Sequence, residues 1–447
     1  MHDPQQQSTD EAAERALAAL QRQGFDAAQA DAQQRQTREV NAANTEATLL
    51  RSLATRRLVL TGLVDGRRAS TELGDFSDAA IADAVALLWQ AAQAAPQDPA
   101  NALSAGQQAS VMPAGEGAAA ADDAAAEAAV LADSLAGLLA WRAEHTPTVL
   151  VEESFVARHR QWSRTLSSGG SDLRSRQVWC EAQLMGTARE GAKASSFNYT
   201  GGRCARLDDG LPLVQRFGFE ALMRELARQV HSQSLAQALG GRFTGAVVLT
   251  PATVADLLGW LLGQLGDQAL IAGSSLYRER VGQAVASPLL SLHSRWGEGQ
   301  APGVAPFSAD GFVAPQLSLL QQGVLQTLTP TLYGARKTGL AHRPVAEAGW
   351  AIDASALPLQ QLIAGVPRGA LVGRLSMGRP AANGDFSGVI KNSFAIVDGE
   401  VGPALSEVMI SGNMAQMLRA VDAVSAERID TGTLCLPWLR VGGLHFS

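Results

Sequence analysis

The sequence predicts an α+β protein in which an N-terminal α/β domain is followed by a β-rich C-terminal domain. Three observations carry this. The run Ala246-Val-Val-Leu249 is short, apolar and β-branched; Thr250-Pro251 stops it, and Val254, Leu257, Leu258, Leu261, Leu262 and Leu265 then recur at helical spacing. Upstream, strand-sized runs around the Asp65-Gly66 turn give way to an alanine-rich helical pattern over Phe76 to Ala95. Downstream, glycines at 334, 339, 349, 365, 369, 373 and 378 punctuate short apolar runs, as turns in a sheet do.

Taken in order, residues 1–9 are polar and read as a disordered tail. Ala13, Ala16, Leu17 and Leu20 mark an amphipathic helix ended by Gly24. Short strands follow over Ala27 to Arg35, Val40 to Leu50, Arg57 to Val64 and Arg67 to Glu72. Residues 97–123 mix alanine with Gly and Pro and read as a mobile linker inside a domain of residues 10–207. A helix is expected over Ala124 to Glu144, then strands from Thr148 to Leu207, broken at Ser167 to Gly170. In the C-terminal domain, 208–447, Gly218 to Leu239 reads as one long helix and Ser287 to Leu292 as a strand. A hairpin turns at Gln321-Gln-Gly323, strands flank Asp398-Gly399, Met409 to Val424 closes as a helix, and Leu434 to Leu444 is a last strand. Thr250 suits the N-cap of the central helix, its hydroxyl accepting an orphan N–H, and Pro251 suits the first helical position.

Composition narrows the function classes. With 36 basic against 43 acidic residues the formal charge is −7, so no basic surplus points to nucleic acid. The densest basic cluster, Arg158, His159, Arg160 and Arg164, reads as a solvated strand edge. Cys180, Cys204 and Cys435 are too few and too scattered for a disulfide framework or a CxxC metal clip, and suit a reducing cytoplasm. The N-terminus shows neither a basic n-region nor an apolar h-region, and no run of eighteen apolar residues occurs, so neither a secretory signal nor a membrane span is expected.

From about Arg206 onward a series of signatures occurs in order: the strand-Pro-helix, Pro306-Phe-Ser-Ala-Asp-Gly311, Leu320-Gln-Gln-Gly323, Gly384-Asp-Phe-Ser387, Asp398-Gly-Glu400, Ile410-Ser-Gly-Asn413 and Leu436-Pro-Trp-Leu-Arg-Val-Gly-Gly443. Together they resemble the TldD/TldE (PmbA) family of metallopeptidases. In the TldD type of subunit the central helix carries a His-Glu-x-x-x-His zinc motif. Laid on this sequence, that motif falls on Gly259 to Gln264, with Gly259, Trp260 and Gln264 where the two ligands and the general base would stand. None can hold zinc or take a proton from water. The resemblance therefore implies a non-catalytic TldE/PmbA-like subunit: no metal in this chain, zinc in a TldD-like partner subunit, and an enclosed chamber for unfolded or extended peptide. The family is also associated with peptide maturation and was once named for an effect on DNA gyrase. The family's acidic turn is reduced here to Ser308-Ala-Asp310-Gly311, and no ligand role carries over onto Cys435.

No two of the seven histidines stand at a metal-binding spacing, His293 with Glu298 and His342 being the nearest candidates, and no G-x-S-x-G elbow occurs. Trp260 either fills the former active site or simply packs. Asp310, Asp385 and Asn413 are the candidate substrate-binding residues, with local backbone bonding as the simpler role. Sequence-indifferent pairing of an extended peptide with a sheet edge is the reasonable binding mode. The leading expectation is a supporting subunit of a cytoplasmic two-subunit peptidase, without nucleic-acid or membrane partners. A free-standing homo-oligomeric peptide-binding or chaperone-like protein is the alternative, and an enzyme of altered mechanism a third.

Overall fold

The computed structural model describes residues 4–112, 124–296 and 301–447. Two sheets organise it. The N-terminal one runs β3–β2–β1–β5–β6–β4, built from β1 (Ala27–Ala43), β2 (Glu46–Val64), β3 (Arg67–Leu73), β4 (Gln108–Val111), β5 (Val149–Ser167) and β6 (Asp172–Glu190), with Asn198–Cys204 also on β6. In the C-terminal sheet the strand Phe243–Leu249 lies between Arg368–Val372, parallel to it, and Leu434–Phe446, antiparallel.

Alternation along β1 explains the first layer. Its Ala28, Ala30 and Ala32 bury against α1 (Pro4–Gln23) and α2 (Asp78–Ala94). Val40 and Ala42, on the same face by the two-residue period of a strand, bury beneath α3 (Ala124–His145) through Leu131, Leu135 and Leu138. On the opposite face, Thr37 meets His159 Nδ1 at 2.9 Å, His159 stacks on Trp179, and Arg35 lies over the same indole. Burial lowers His159 to about 4, so the stacked ring is neutral at physiological pH. The C-terminal half leans on this face: a Cβ at Gly303 (φ +77°) would sit 2.6 Å from Trp179 Cδ2, so only glycine fits the approach.

Several expectations need correction. The helix begins at Pro4, so the polar stretch 4–9 is ordered, with Thr9 fully buried; residues 1–3 lie outside the described residues. Of the expected linker, 97–112 is folded: Gln97 bridges Arg67, and β4 pairs parallel with β6; residues 113–123 lie outside the described residues. β1 and β2 are single strands of 17 and 19 residues rather than short segments, because their polar residues fall on both faces without interrupting the ladder. The long helix expected from Gly218 breaks into α4 (Phe219–Gln229) and α5 (Leu235–Leu239), the latter opened by a Ser234/Gln237 capping box. The expected strand over Ser287 to Leu292 is found instead at Leu292–Ser294, and Met409 to Val424 holds only a seven-residue helix, Met414–Ala420, between two strands.

The basic cluster is no solvated edge. β5 is an interior strand, and Arg158 and Arg160 converge with Arg38 on Glu127 of α3, while buried Arg164 pairs with Glu14 and Asp172. One helix, α3, is long and apolar enough to cross a membrane by length and composition, because alanine raises its hydropathy; here its leucine face lies on the sheet.

Candidate functional site

The strand Phe243–Leu249 ends at Thr250, and Pro251 opens α6 (Pro251–Leu265) at its first position. Thr250 does not cap by its side chain; its hydroxyl donates to Gly373 O at 3.2 Å, tying the helix start to the neighbouring strand. Val254, Leu257, Leu258, Leu261 and Leu265 bury one face in the main C-terminal core. The other face opens onto a cleft of about 650 Å³ whose lining includes Asp256, Gly259, Trp260, Gly263, Met377 and Arg379.

Its two glycines leave the helix backbone bare, since a Cβ at either would meet nothing within 4 Å. Trp260 forms one wall and packs edge-on against Tyr277, ring centroids 6.1 Å apart. Tyr277 is buried, which pushes its phenol up to about 12. Desolvation pushes the Asp256 carboxyl up to about 6, and Arg379 is held by Gln268 Oε1 at 2.8 Å. Gln264 also lines the cleft, but it is buried and its Oε1 already accepts the Leu276 N–H at 2.9 Å.

The strands Asp385–Lys391 and Val408–Asn413 set Asp385 opposite Asn413, whose amide donates to Asp385 Oδ1 at 2.8 Å and to Asn383 O at 2.9 Å. Asn413 also caps the helix Met414–Ala420 by accepting Gln416 N–H. Hydrogen bonds from Asn413 and then Asn383 hold the Asp385 carboxyl below the usual carboxylate range. Gly384 joins this pair to the cleft: a Cβ there would stand 3.1 Å from Trp260 Cζ2 and 3.3 Å from Asn413 Oδ1. Trp260, Asp385 and Asn413 are thus brought together. Asp310 is not among the residues lining the cleft; it accepts from Ser308 Oγ, Leu332 N–H and His342 Nε2 at 2.6, 2.7 and 3.0 Å, fastening its own turn to the helix Leu332–Thr338.

Residues 242–447 match the model of the PmbA/TldA metallopeptidase C-terminal domain. Over these residues, a little under half of its length, the chain is similar to the PmbA/TldA metallopeptidases. Among its relatives, Metalloprotease PmbA of Escherichia coli O157:H7 is 25% identical over 209 residues, 44% of this chain and 45% of that protein. The Metalloprotease PmbA homolog of Haemophilus influenzae is 25% identical over 190 residues, 39% and 42% of the two chains. The match thus spans less than half the length of either curated relative. The fold is shared along nearly the whole chain. TldE from Thermococcus kodakarensis superposes with a TM-score of 0.81 at 16% identity, covering 98% of this chain and 100% of that one. A putative modulator of DNA gyrase from Bacteroides thetaiotaomicron does so with 0.81 at 20% identity, covering 98% of each.

A metallopeptidase family raises the question of zinc. The donor set on α6 does not fit it: Gly259 has no side chain, Trp260 offers only an N–H donor, and the Gln264 carbonyl is already engaged. Among the described residues no group of three or more His, Cys, Asp or Glu side chains is placed to hold a metal ion. His342 is bound to Asp310, and His293 lies 3.5 Å from Asp353; Glu298 falls outside the described residues. The sequence reading missed Asp256 and Arg379. Asp256 carried a signal, since it stands three and four residues before Gly259 and Trp260 on one helix face. Arg379 carried none, because only folding brings Met377 to Ala382 against α6.

Proposed function

We propose that this chain is a non-catalytic, TldE/PmbA-like subunit that assembles with a zinc-bearing TldD-like subunit into a peptidase acting on unfolded or extended peptides. One observation carries the reading. The motif face of α6 keeps an open cleft while every position that would supply chemistry holds a residue that supplies none: bare backbone at Gly259, an indole at Trp260 and an engaged amide at Gln264. A chain that had lost the whole site would have no reason to keep the room. In this reading the cleft receives part of a peptide, with Trp260 as its apolar wall and Asp256 and Arg379 as its polar ends, and the partner supplies zinc and the activated water in the cytoplasm.

The test is purification of the chain alone, of a TldD-like subunit alone and of the two together, with metal analysis and an unfolded-casein assay of each. The proposal expects zinc and cleavage only when the TldD-like subunit is present, and a higher rate in the mixture. Cleavage that survives mutation of the partner's zinc motif would overturn it.

A second reading, a free-standing homo-oligomeric peptide-binding protein, is favoured by one feature. Among the described residues nothing pairs with the outer edge of β2 over residues 46–57, where Leu49, Leu50 and Leu53 are exposed. A stable homo-oligomer that ignores the TldD-like subunit and captures peptide without cleaving it would decide for this reading.

A further inference from the structure

β6 and the strand Asn198–Cys204 pair antiparallel, and their register sets Cys180 directly opposite Cys204. Both thiols are free. Arg203 donates its N–H to Thr431 O, away from β6. Its neighbour Cys204 therefore turns its backbone toward Cys180, which makes theirs the hydrogen-bonded kind of pair, with Cα atoms about 5.5 Å apart. That lies inside the span a disulfide bridges, while the Cβ separation of such a pair is somewhat wider than a relaxed bridge prefers. A bond formed here would be strained, hence of the reducible kind.

The two sulfurs differ in access and in environment. Cys180 is 2% exposed and lies in the core beneath α3, whereas Cys204 lines a cleft of about 770 Å³ at the junction of the two halves, together with Arg203, Arg216 and Asp430. A hydrogen bond from Cys180 and then the Arg216 guanidinium hold the Cys204 thiol below its ordinary range. The same hydrogen bond, with burial, pushes Cys180 well up. Thus one thiol borders the cleft and is inclined to ionise, and the other is shielded and stays protonated.

We propose that Cys180 and Cys204 are a reversible redox pair, Cys204 being oxidised by a hydroperoxide entering the junction cleft and Cys180 resolving it into a cross-strand disulfide. The Cys204 thiolate attacks one peroxide oxygen; an S–O bond forms, the O–O bond breaks, and the released hydroxide takes up the proton that the thiol gave to solvent. The Cys180 sulfur then attacks the sulfenic acid; an S–S bond forms, the S–O bond breaks, and water leaves with the Cys180 proton. Two thiols lose two electrons, and hydrogen peroxide, the hydroperoxide used in the test, becomes two waters. The bridge would fix the end of this strand, where Arg203 meets Thr431 of the C-terminal half, so oxidation bears on how the halves are joined.

The test treats the full chain with a small molar excess of hydrogen peroxide and maps its cysteines by non-reducing peptide mass spectrometry, before and after dithiothreitol. The proposal expects a Cys180–Cys204 peptide that dithiothreitol releases, with Cys435 remaining a thiol. Cys180→Ser should instead accumulate sulfenic acid on Cys204, trapped by dimedone. Cys204→Ser should give neither product, and Cys435→Ser should behave as the parent. Three free thiols after treatment, sulfinic acid on Cys204 while Cys180 is present, or a bridge between two chains would each overturn the proposal. The parent chain alone decides the main point, so a variant that fails to fold leaves it open to refutation.

Discussion

Both halves have an apolar core, but the helix packed on each sheet keeps different polar company. Around α3 the N-terminal sheet places Arg38, Arg158 and Arg160 on one carboxylate, Glu127, all four side chains no more than 20% exposed. Around α6 the C-terminal half buries Val254, Leu257, Leu258, Leu261 and Leu265 among apolar neighbours, with its polar groups kept to the cleft face. The first adds, to the leucine face of α3 buried on the sheet, a few charges that must stay matched. The second depends on the summed area and fit of many side chains. The family match lies at 242–447, where apolar pattern and turn glycines recur in order, while the fold is shared along nearly the whole chain at 16–20% identity.

The largest effects are expected when one member of each arrangement is removed. Glu127→Ala leaves three guanidinium groups facing one another and is expected to cost about 3 kcal/mol. Leu261→Ala empties a buried site and is expected to cost a similar amount, about 3 kcal/mol. Salt separates them: added sodium chloride should recover part of the Glu127→Ala loss, because counter-ions screen the arginines, and leave the Leu261→Ala loss unchanged. Chemical denaturation with urea, at low and high salt, reads both. Equal salt responses would mean the arginine cluster is not an electrostatic centre.

A smaller effect of opposite sign is expected at Glu225 on α4, where burial raises the carboxyl to about 7 against 4.5 unperturbed and Arg228 only partly offsets it. A carboxyl whose folded value is raised favours the fold while it is protonated. That advantage is complete below about pH 4.5 and is lost as pH rises through 7. Glu225→Gln, which stays neutral, should therefore be more stable than the parent above pH 7, by on the order of 2 kcal/mol, and close to it below pH 4.5. Urea midpoints at pH 4.5 and 8 measure this, and a gain of the same size at both would sink the argument.

Legibility in the sequence followed the same division. The strand, Pro251 and the packed face of α6 could be read because a 3.6-residue apolar period is local information. The 4–9 helix turn could not, because its Gln-rich residues are met from far along the chain: Gln34 Nε2 of β1 donates to Gln5 O at 3.4 Å. Nor could the full length of β1, where charge and amide residues hide the ladder that pairs it with β2 and β5. At the site, the motif positions were legible by resemblance. That Asp385 faces Asn413 and that Gly384 carries the pair to Trp260 depends on the register of distant strands.

The smallest expected effect separates fold from function on α6 itself. Glycine in a helix interior costs roughly 0.5–1 kcal/mol relative to alanine, and at Gly259 a Cβ would meet nothing within 4 Å. Gly259→Ala should therefore stabilise the chain by about that amount in thermal or urea unfolding, since folding gives no reason to omit the methyl group. If the cleft receives peptide against the bare helix, the same methyl group intrudes on the ligand, so the variant should gain stability while weakening the rate enhancement that the chain gives a TldD-like subunit. Gained stability with an undiminished rate would mean that the glycine is what the lost motif left behind, and that peptide is held elsewhere along the cleft, at Trp260 or at the Asp385–Asn413 pair.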